Sequence, residues 1–314
     1  MDTLDIQTIS ELKKNLAAFD PCASQQQPSV ALQAYLNFYN LPTPHDQLSL
    51  TTGTILVNQS PIFVATWQPP NPAGTALVVH GYMDHLGLYR HLIDFLIGHN
   101  LTVVCFDLPG HGLSAGKTAF IEDFADYTAV LGSLIGLCQQ HFPAPLHALG
   151  QSMGGAVLLK YLINSRSAID DPFKTINLLT PLLHPKAWST RRRLLPLIKP
   201  FCKSLKRVFD HCSHDRNFLN FHRHKDPLQA RAIPIPWLVA MDEWAREFEA
   251  SEGSDFPINL IQGDVDKTLD WKYNLGVFKQ KLPNINLHMI EHVGHHMVNE
   301  IQPLRSKIFA AIEL

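Results

Sequence analysis

From about residue 75, short apolar runs of strand length alternate with segments long enough for helices. The runs are 76–80, 101–107, 146–150, 175–180, 258–263 and 287–291. A run that is apolar at successive positions is buried on both faces, so helices between such runs predict a mostly parallel sheet covered on both sides. Two further strand-like stretches, 47–57 and 61–67, precede them with a turn near Asn58. Earlier still, Ile6, Ile9, Leu12, Leu16 and Phe19 recur at helical spacing. A polar break ending at Pro28 separates them from a second helical set, Val30, Leu32, Leu36 and Tyr39, which Pro42 and Pro44 stop. Between 181 and 256 the alternation lapses into Pro-rich, basic and aromatic segments. The pattern predicts an amino-terminal helical extension (1–44), an α/β domain in two pieces (45–181 and 257–314) and an inserted cap (182–256).

One turn of this α/β pattern carries chemistry. The run from Leu146 leads into Gly150-Gln151-Ser152-Met153-Gly154 and then into a helical segment. A nucleophilic serine on a tight strand-to-helix turn needs small residues two positions either side, so that the strand and helix can approach and Oγ can project from the sheet. The free N–H groups of the following helix face the charge that develops on a carbonyl oxygen under attack. A lone G-x-S-x-G is a weak signal; its position between a predicted strand and a predicted helix strengthens it. Upstream, the run ending at His80 continues into Gly81-Tyr82-Met83-Asp84-His85. There a second backbone donor would stand, so the N–H groups of Tyr82 and Met153 are the candidate oxyanion hole. His80 and His85 precede the serine in the chain and fit a role in holding that loop.

The base and its partner belong further on. After the run 258–263 come Asp264 and Asp266. Asp266, three residues past the strand-ending Gly263, is the candidate acid, and Asp264 is better placed to accept from turn amides. After the last run comes His292-Val293-Gly294-His295-His296. His295 is the candidate base, with His296 and His292 as alternatives; a helix containing Val298, Ile301, Leu304 and Ile308 would hold it over the sheet edge. The order Ser152, Asp266, His295 is that of the α/β-hydrolase fold and differs from the orders in chymotrypsin and subtilisin.

These segments together resemble the lysophospholipase and monoacylglycerol lipase branch of the α/β-hydrolase superfamily. The resemblance rests on VVHGYMDHLGLYRHL (78–92), DLPGHGLSAG (107–116), GQSMGG (150–155), IQGDVDKTLDW (261–271) and HVGHHMVNE (292–300). It covers about residues 75–181 and 256–312; the amino-terminal extension is longer than in the smaller monoacylglycerol lipases, and the cap carries no motif of that branch. It implies a serine esterase acting on lipid-like esters, a monoacylglycerol or a lysophospholipid. The catalytic residues would be Ser152, Asp266 and His295, with amides of Tyr82 and Met153 and neither metal nor organic cofactor. A short-chain carboxylesterase or a thioesterase would use the same residues. A non-catalytic binding version of the fold fits poorly, since every catalytic position is filled.

Composition narrows the setting. A chain of 314 residues exceeds the roughly 250 at which single cores stop growing, in keeping with a domain plus insertion. Its net charge of −2 gives no global footprint for nucleic acid. Five scattered cysteines without a CxxC pair fit a reducing compartment. The acidic start MDTLDIQTISELKK lacks the features of a secretion signal, so a cytoplasmic location is expected, with any membrane contact peripheral. The charge is uneven: between 184 and 225 eleven Lys or Arg stand against Asp210 and Asp215. A basic cap studded with Leu194, Leu195, Leu197 and Phe201 could meet anionic lipid or a phosphorylated head group, or its apolar residues could simply close the pocket. The histidines at 211, 214, 222 and 224, with Cys212, lack a complete zinc-ligand spacing.

Overall fold

The computed structural model describes residues 4–23, 27–164, 172–209 and 211–314; Asp210 of the basic stretch lies outside them. Helices α1 (Ile6–Asn15) and α2 (Val30–Tyr39) lead into a hairpin of β1 (Ser49–Val57) and β2 (Ser60–Gln68). Then follow β3 (Gly74–Val79), α3 (Arg90–Gly98), β4 (Leu101–Phe106), α4 (Ala125–His141), β5 (Leu146–Gln151), α5 (Met153–Asn164) and β6 (Thr175–Leu179). The stretch between β6 and the next sheet strand holds α6 (Trp188–Ile198), β7 (Ser204–Lys206), α7 (Arg216–His224), β8 (Ala232–Pro234) and α8 (Ile235–Ala250). The chain finishes with β9 (Ile258–Gly263), α9 (Trp271–Lys281), β10 (Ile285–Ile290) and α10 (Gln302–Ala310).

Eight strands form one sheet in the order β1-β2-β4-β3-β5-β6-β9-β10, antiparallel at β1/β2 and β2/β4 and parallel across the rest. Successive strand residues feed opposite layers, as the two-residue period of a strand requires. Leu77 and Val79 of β3 join a core with α4, α5, α8 and α9, whereas Ala76 and Val78 join one with α1, α2, α3 and α10. The amino-terminal helices therefore complete one of the two helical layers. Tyr35 and Leu36 of α2 are buried there against Phe63 and Leu92.

Two local expectations from the sequence fail. The last strand is an edge strand with half-exposed residues, beginning at Ile285 instead of 287. The helix expected through Val298 and Ile301 is broken: a single tight turn, Met297–Asn299, is followed by an extended Glu300 before α10 begins at Gln302. Pro303 accounts for this. Proline is tolerated in the first turn of a helix, where an N–H has no intrahelical acceptor, but not further along one, so Pro303 fits a helix that starts at Gln302, with Ile301 as its extended, partly exposed cap.

Candidate active site

β5 delivers Ser152 to the carboxyl edge of the sheet in a left-handed backbone conformation, φ 53°. The turn is held by the Ser152 N–H, which donates to Leu179 O at 2.9 Å, and by Ser152 O, which accepts from Leu182 N at 2.9 Å. A Cβ on Gly154 would stand 2.1 Å from Val79 O, and one on Gly150 would stand 2.6 Å from the Gly154 carbonyl carbon. Neither gap admits an atom, so both glycines are needed for α5 to start where β5 ends.

The Ser152 hydroxyl donates to His295 Nε2 at 2.9 Å, and His295 Nδ1–H donates to Asp266 Oδ2 at 2.8 Å. The other carboxylate oxygen of Asp266 accepts from the amides of Thr268 (2.8 Å) and Leu269 (3.1 Å). All three side chains lie in buried residues, brought together from the ends of β5 and β9 and the loop after β10. Asp264 instead accepts from His292 N at 2.7 Å, and the His292 side chain is exposed. His296 points elsewhere, its Nε2 donating to Asp84 Oδ1 at 3.2 Å.

Burial of the His295 ring disfavours its charged form, but the adjacent Asp266 carboxylate, by charge and hydrogen bond, outweighs this and raises the pKa above 6.5. Burial likewise pushes Asp266 up, yet His295 and the two amides leave it below the usual carboxylate value. If His295 accepts the serine proton, it must be neutral to act. The acid limb of kcat/KM on a neutral ester should then have its midpoint above pH 6.5, and a midpoint below 6 would remove His295 as the base. The stability increment has the opposite sense: with the folded pKa raised, it is full below the unfolded value near 6.5 and is lost as pH rises through the folded one.

Met153 opens α5, so its N–H has no acceptor inside the helix. The loop carrying Tyr82 lies alongside the serine: a Cβ on Gly81 would be 3.5 Å from the Ser152 Cβ. A network that sequence reasoning missed holds this loop. Gly81 N–H donates to Tyr89 Oη (2.9 Å), Tyr89 Oη–H donates to Asp84 Oδ2 (3.0 Å), and His296 donates to the other oxygen of the same carboxylate. Asp84 is buried, which pushes its pKa up, but His296 more than compensates and holds it far below the ordinary value. The HGYMDH motif and the 295–296 histidine doublet were the available signals. His80 holds the loop from beneath: Nδ1–H donates to Gly81 O (2.7 Å) and Nε2 accepts from Leu108 N (2.9 Å).

Residues 182–256 touch the site at several points. Trp237 of α8 stacks on Tyr82 with centroids 3.4 Å apart, and Phe218 of α7 lies 4.6 Å from the His296 ring. His296 N–H donates to Cys212 O at 2.8 Å, and buried Glu300 accepts from both His214 Nδ1–H (3.0 Å) and Gly294 N–H (3.2 Å). A clamp from the end of α2 meets these. Tyr39 Oη–H donates to Asp226 Oδ1 (2.7 Å), while Asp226 Oδ2 accepts from His85 Nε2–H (3.0 Å). His85 thus ties the loop after β3 to residues far away in the chain. His214 and His222 are occupied by Glu300 and Arg207, and no group of three metal-type ligands occurs among the described residues.

The family model described as "Serine aminopeptidase, S33" (Hydrolase_4) matches residues 70–302. The chain belongs to this hydrolase family. Within the family's neighbourhood it is similar to the human monoglyceride lipase, 25% identical over 266 residues that cover 81% of this chain and 86% of that protein. The monoacylglycerol lipase of Mycolicibacterium smegmatis is 33% identical over 97 residues, 30% of this chain and 35% of that protein's length. In architecture this S33 chain resembles a soluble variant of the Saccharomyces cerevisiae monoglyceride lipase, solved with a substrate analog. The TM-score is 0.69 at 16% identity, covering 86% of this chain and 96% of the other, a likeness that concerns the α/β-hydrolase fold alone.

Proposed function

We propose that this protein hydrolyses carboxylic esters of lipids, a monoacylglycerol or lysophospholipid, through an acyl-enzyme on Ser152. The observation that carries the reading is the unbroken hydrogen-bonded line from Asp266 through His295 to the Ser152 hydroxyl. In the proposed cycle Ser152 Oγ attacks the ester carbonyl and its proton passes to His295 Nε2. The amides of Tyr82 and Met153 hold the oxyanion, and His295 returns the proton to the departing alcohol. Water, deprotonated by the same imidazole, then releases the acid. Lipid esters are favoured because proteins similar to this chain are named as monoacylglycerol lipases. The test is incubation with a fluorophosphonate, peptide mapping of the adduct, and turnover of 1-monoacylglycerol and p-nitrophenyl butyrate. Labelling at Ser152 with hydrolysis of both is expected; labelling elsewhere, or no turnover of either ester, ends the reading.

Residues 182–256 serve in this reading as a cap on the catalytic domain formed by 45–181 and 257–314, with 1–44 bracing both. The cap also supports peripheral contact with an anionic membrane. Leu194, Leu197 and Phe201 are 53%, 67% and 91% exposed, and exposed Arg191, Arg193, Lys199 and Lys203 are interleaved with them. Arg192 is excluded from this role, because its Nε lies 2.7 Å from Asp242 Oδ1. Among the described residues no helix is long and apolar enough to cross a membrane. Each basic residue at an anionic surface contributes about 1 kcal/mol. Replacing Arg191, Arg193 and Lys199 with glutamine should therefore lower turnover on phosphatidylserine-containing vesicles by about 10- to 100-fold relative to a soluble ester. An unchanged ratio would assign these residues to an ordinary solvated face.

A further inference from the structure

A cavity of about 510 Å³ opens where the segment following β7 meets the end of α7 and the approach to β8. Its walls carry Lys206, Arg207, Arg223, His224 and Arg231 around the ring of Phe209. The Arg207 and Arg231 guanidinium carbons stand 4.4 Å and 5.1 Å from that ring's centroid. Such crowding of cations normally draws in a carboxylate, yet among the described residues Arg207 and Arg231 place their donors on neutral acceptors. Arg207 donates to Gln229 Oε1 (2.6 Å), Ala230 O (3.2 Å) and His222 Nε2 (3.1 Å), and Arg231 donates to Arg223 O (2.5 Å). Among the described residues, none of the ion pairs includes Lys206, Arg207, Arg223 or Arg231. Two guanidinium groups gathered at one aromatic ring stand in a place where a second charge of the same sign costs energy. A multiply charged oxyanion entering the cavity would remove that repulsion.

We infer that this cavity binds a phosphate group, and that, if the proposed ester hydrolysis holds, its occupant is the head group of a phosphate-bearing lysolipid. The choice of phosphate over carboxylate follows from the donors. Guanidinium forks suit the tetrahedral oxygens of a phosphate, and three Arg with one Lys can neutralise a dianion that a single carboxylate would leave unbalanced. The cavity also adjoins the catalytic region. Arg207 backs onto His222, whose ring lies 6.4 Å from that of His296, the residue next to His295. None of the residues lining the cavity belongs to α6, so the two features can be separated by substitution.

The test uses the full chain and two soluble esters with the same short acyl group, 1-hexanoylglycerol and 1-hexanoylglycerol 3-phosphate. Arg223 and Arg231 are exposed, so the pair Arg223→Gln and Arg231→Gln should leave the fold intact, which thermal unfolding will confirm. Removing two phosphate contacts should lower the preference for the phosphorylated ester, measured as the ratio of kcat/KM values, by about tenfold or more, chiefly through KM. A parallel arm measures binding of inorganic phosphate and of glycerol 3-phosphate by calorimetry, with wild type, the double variant and Ser152→Ala. Glycerol 3-phosphate binding that the double variant weakens, together with the lost preference, supports the head-group site. Equal binding of inorganic phosphate without any preference between esters assigns the site to free phosphate. Unaltered preference together with unaltered phosphate binding in the double variant overturns the inference. Phosphate binding in a protein that hydrolyses neither ester would instead overturn the proposed function and leave the site standing.

Discussion

Replacing Ser152 with alanine is expected to reduce kcat on p-nitrophenyl butyrate by about a million-fold while the protein remains folded. Loss of the hydroxyl removes both the attacking oxygen and the proton donor to His295 Nε2, and in a Ser–His–Asp arrangement these act as a unit. The fold should persist because the turn is held by backbone hydrogen bonds, from Ser152 N–H to Leu179 O and from Leu182 N–H to Ser152 O, which alanine keeps. The backbone at this residue has φ 53°, a conformation that side-chain-bearing residues adopt at a cost of about 1–3 kcal/mol. Ser152→Gly should therefore be as inactive as the alanine variant and melt higher than it, whereas an ordinary turn serine would give no such gain. Turnover by Ser152→Ala within a hundredfold of wild type, with contaminating esterase excluded by fluorophosphonate labelling, would end the nucleophile assignment.

The parts of this site that sequence made legible are those written in local terms. Strands buried on both faces leave continuous apolar runs, which is why β3, β4, β5, β6 and β9 stand out, while β10 at the sheet edge shifts by two residues. Gly150 and Gly154 are legible because no other residue fits the gap between β5 and α5. The side chains that join distant segments are another matter. The amphipathic pattern of α2 announces a helix, but nothing in it says that Tyr39 will reach Asp226, 187 positions later. Asp84 reads as a loop residue of the HGYMDH motif, and only the fold brings His296 onto its carboxylate. The run Arg191-Arg192-Arg193 looks uniform in sequence, yet α6 turns the middle residue inward to Asp242 and leaves its neighbours in solvent. Charge counts along the chain cannot make that division, because it depends on which face of a helix meets a partner.

The two aspartates beyond β9 offer the other large effect. Asp266→Asn is expected to lower kcat about ten-thousandfold near neutral pH, and Asp264→Asn by less than about threefold. In the native site Asp266 Oδ2 accepts from His295 Nδ1–H, which leaves Nε2 free to accept from Ser152. An asparagine can keep one oxygen on the amides of Thr268 and Leu269, and its NH2 group then faces His295 Nδ1. That NH2 donates, so the imidazole must carry its proton on Nε2, where it can no longer take one from the serine. The imidazolium formed during attack also loses its balancing charge. Asp264 has no part in this: one of its oxygens accepts from His292 N–H, and the amide oxygen of an asparagine can do the same. Stability separates the variants as well. The pKa of Asp266 is depressed in the folded state, so its contribution is present above the unfolded value near 4 and is lost as pH falls through the folded one. Asp266→Asn should accordingly be less stable than wild type at pH 7 and approach it in acid. Comparable kcat losses in the two variants, measured on the same neutral ester, would leave Asp266 without its assigned role, because both would then act only by disturbing the turn.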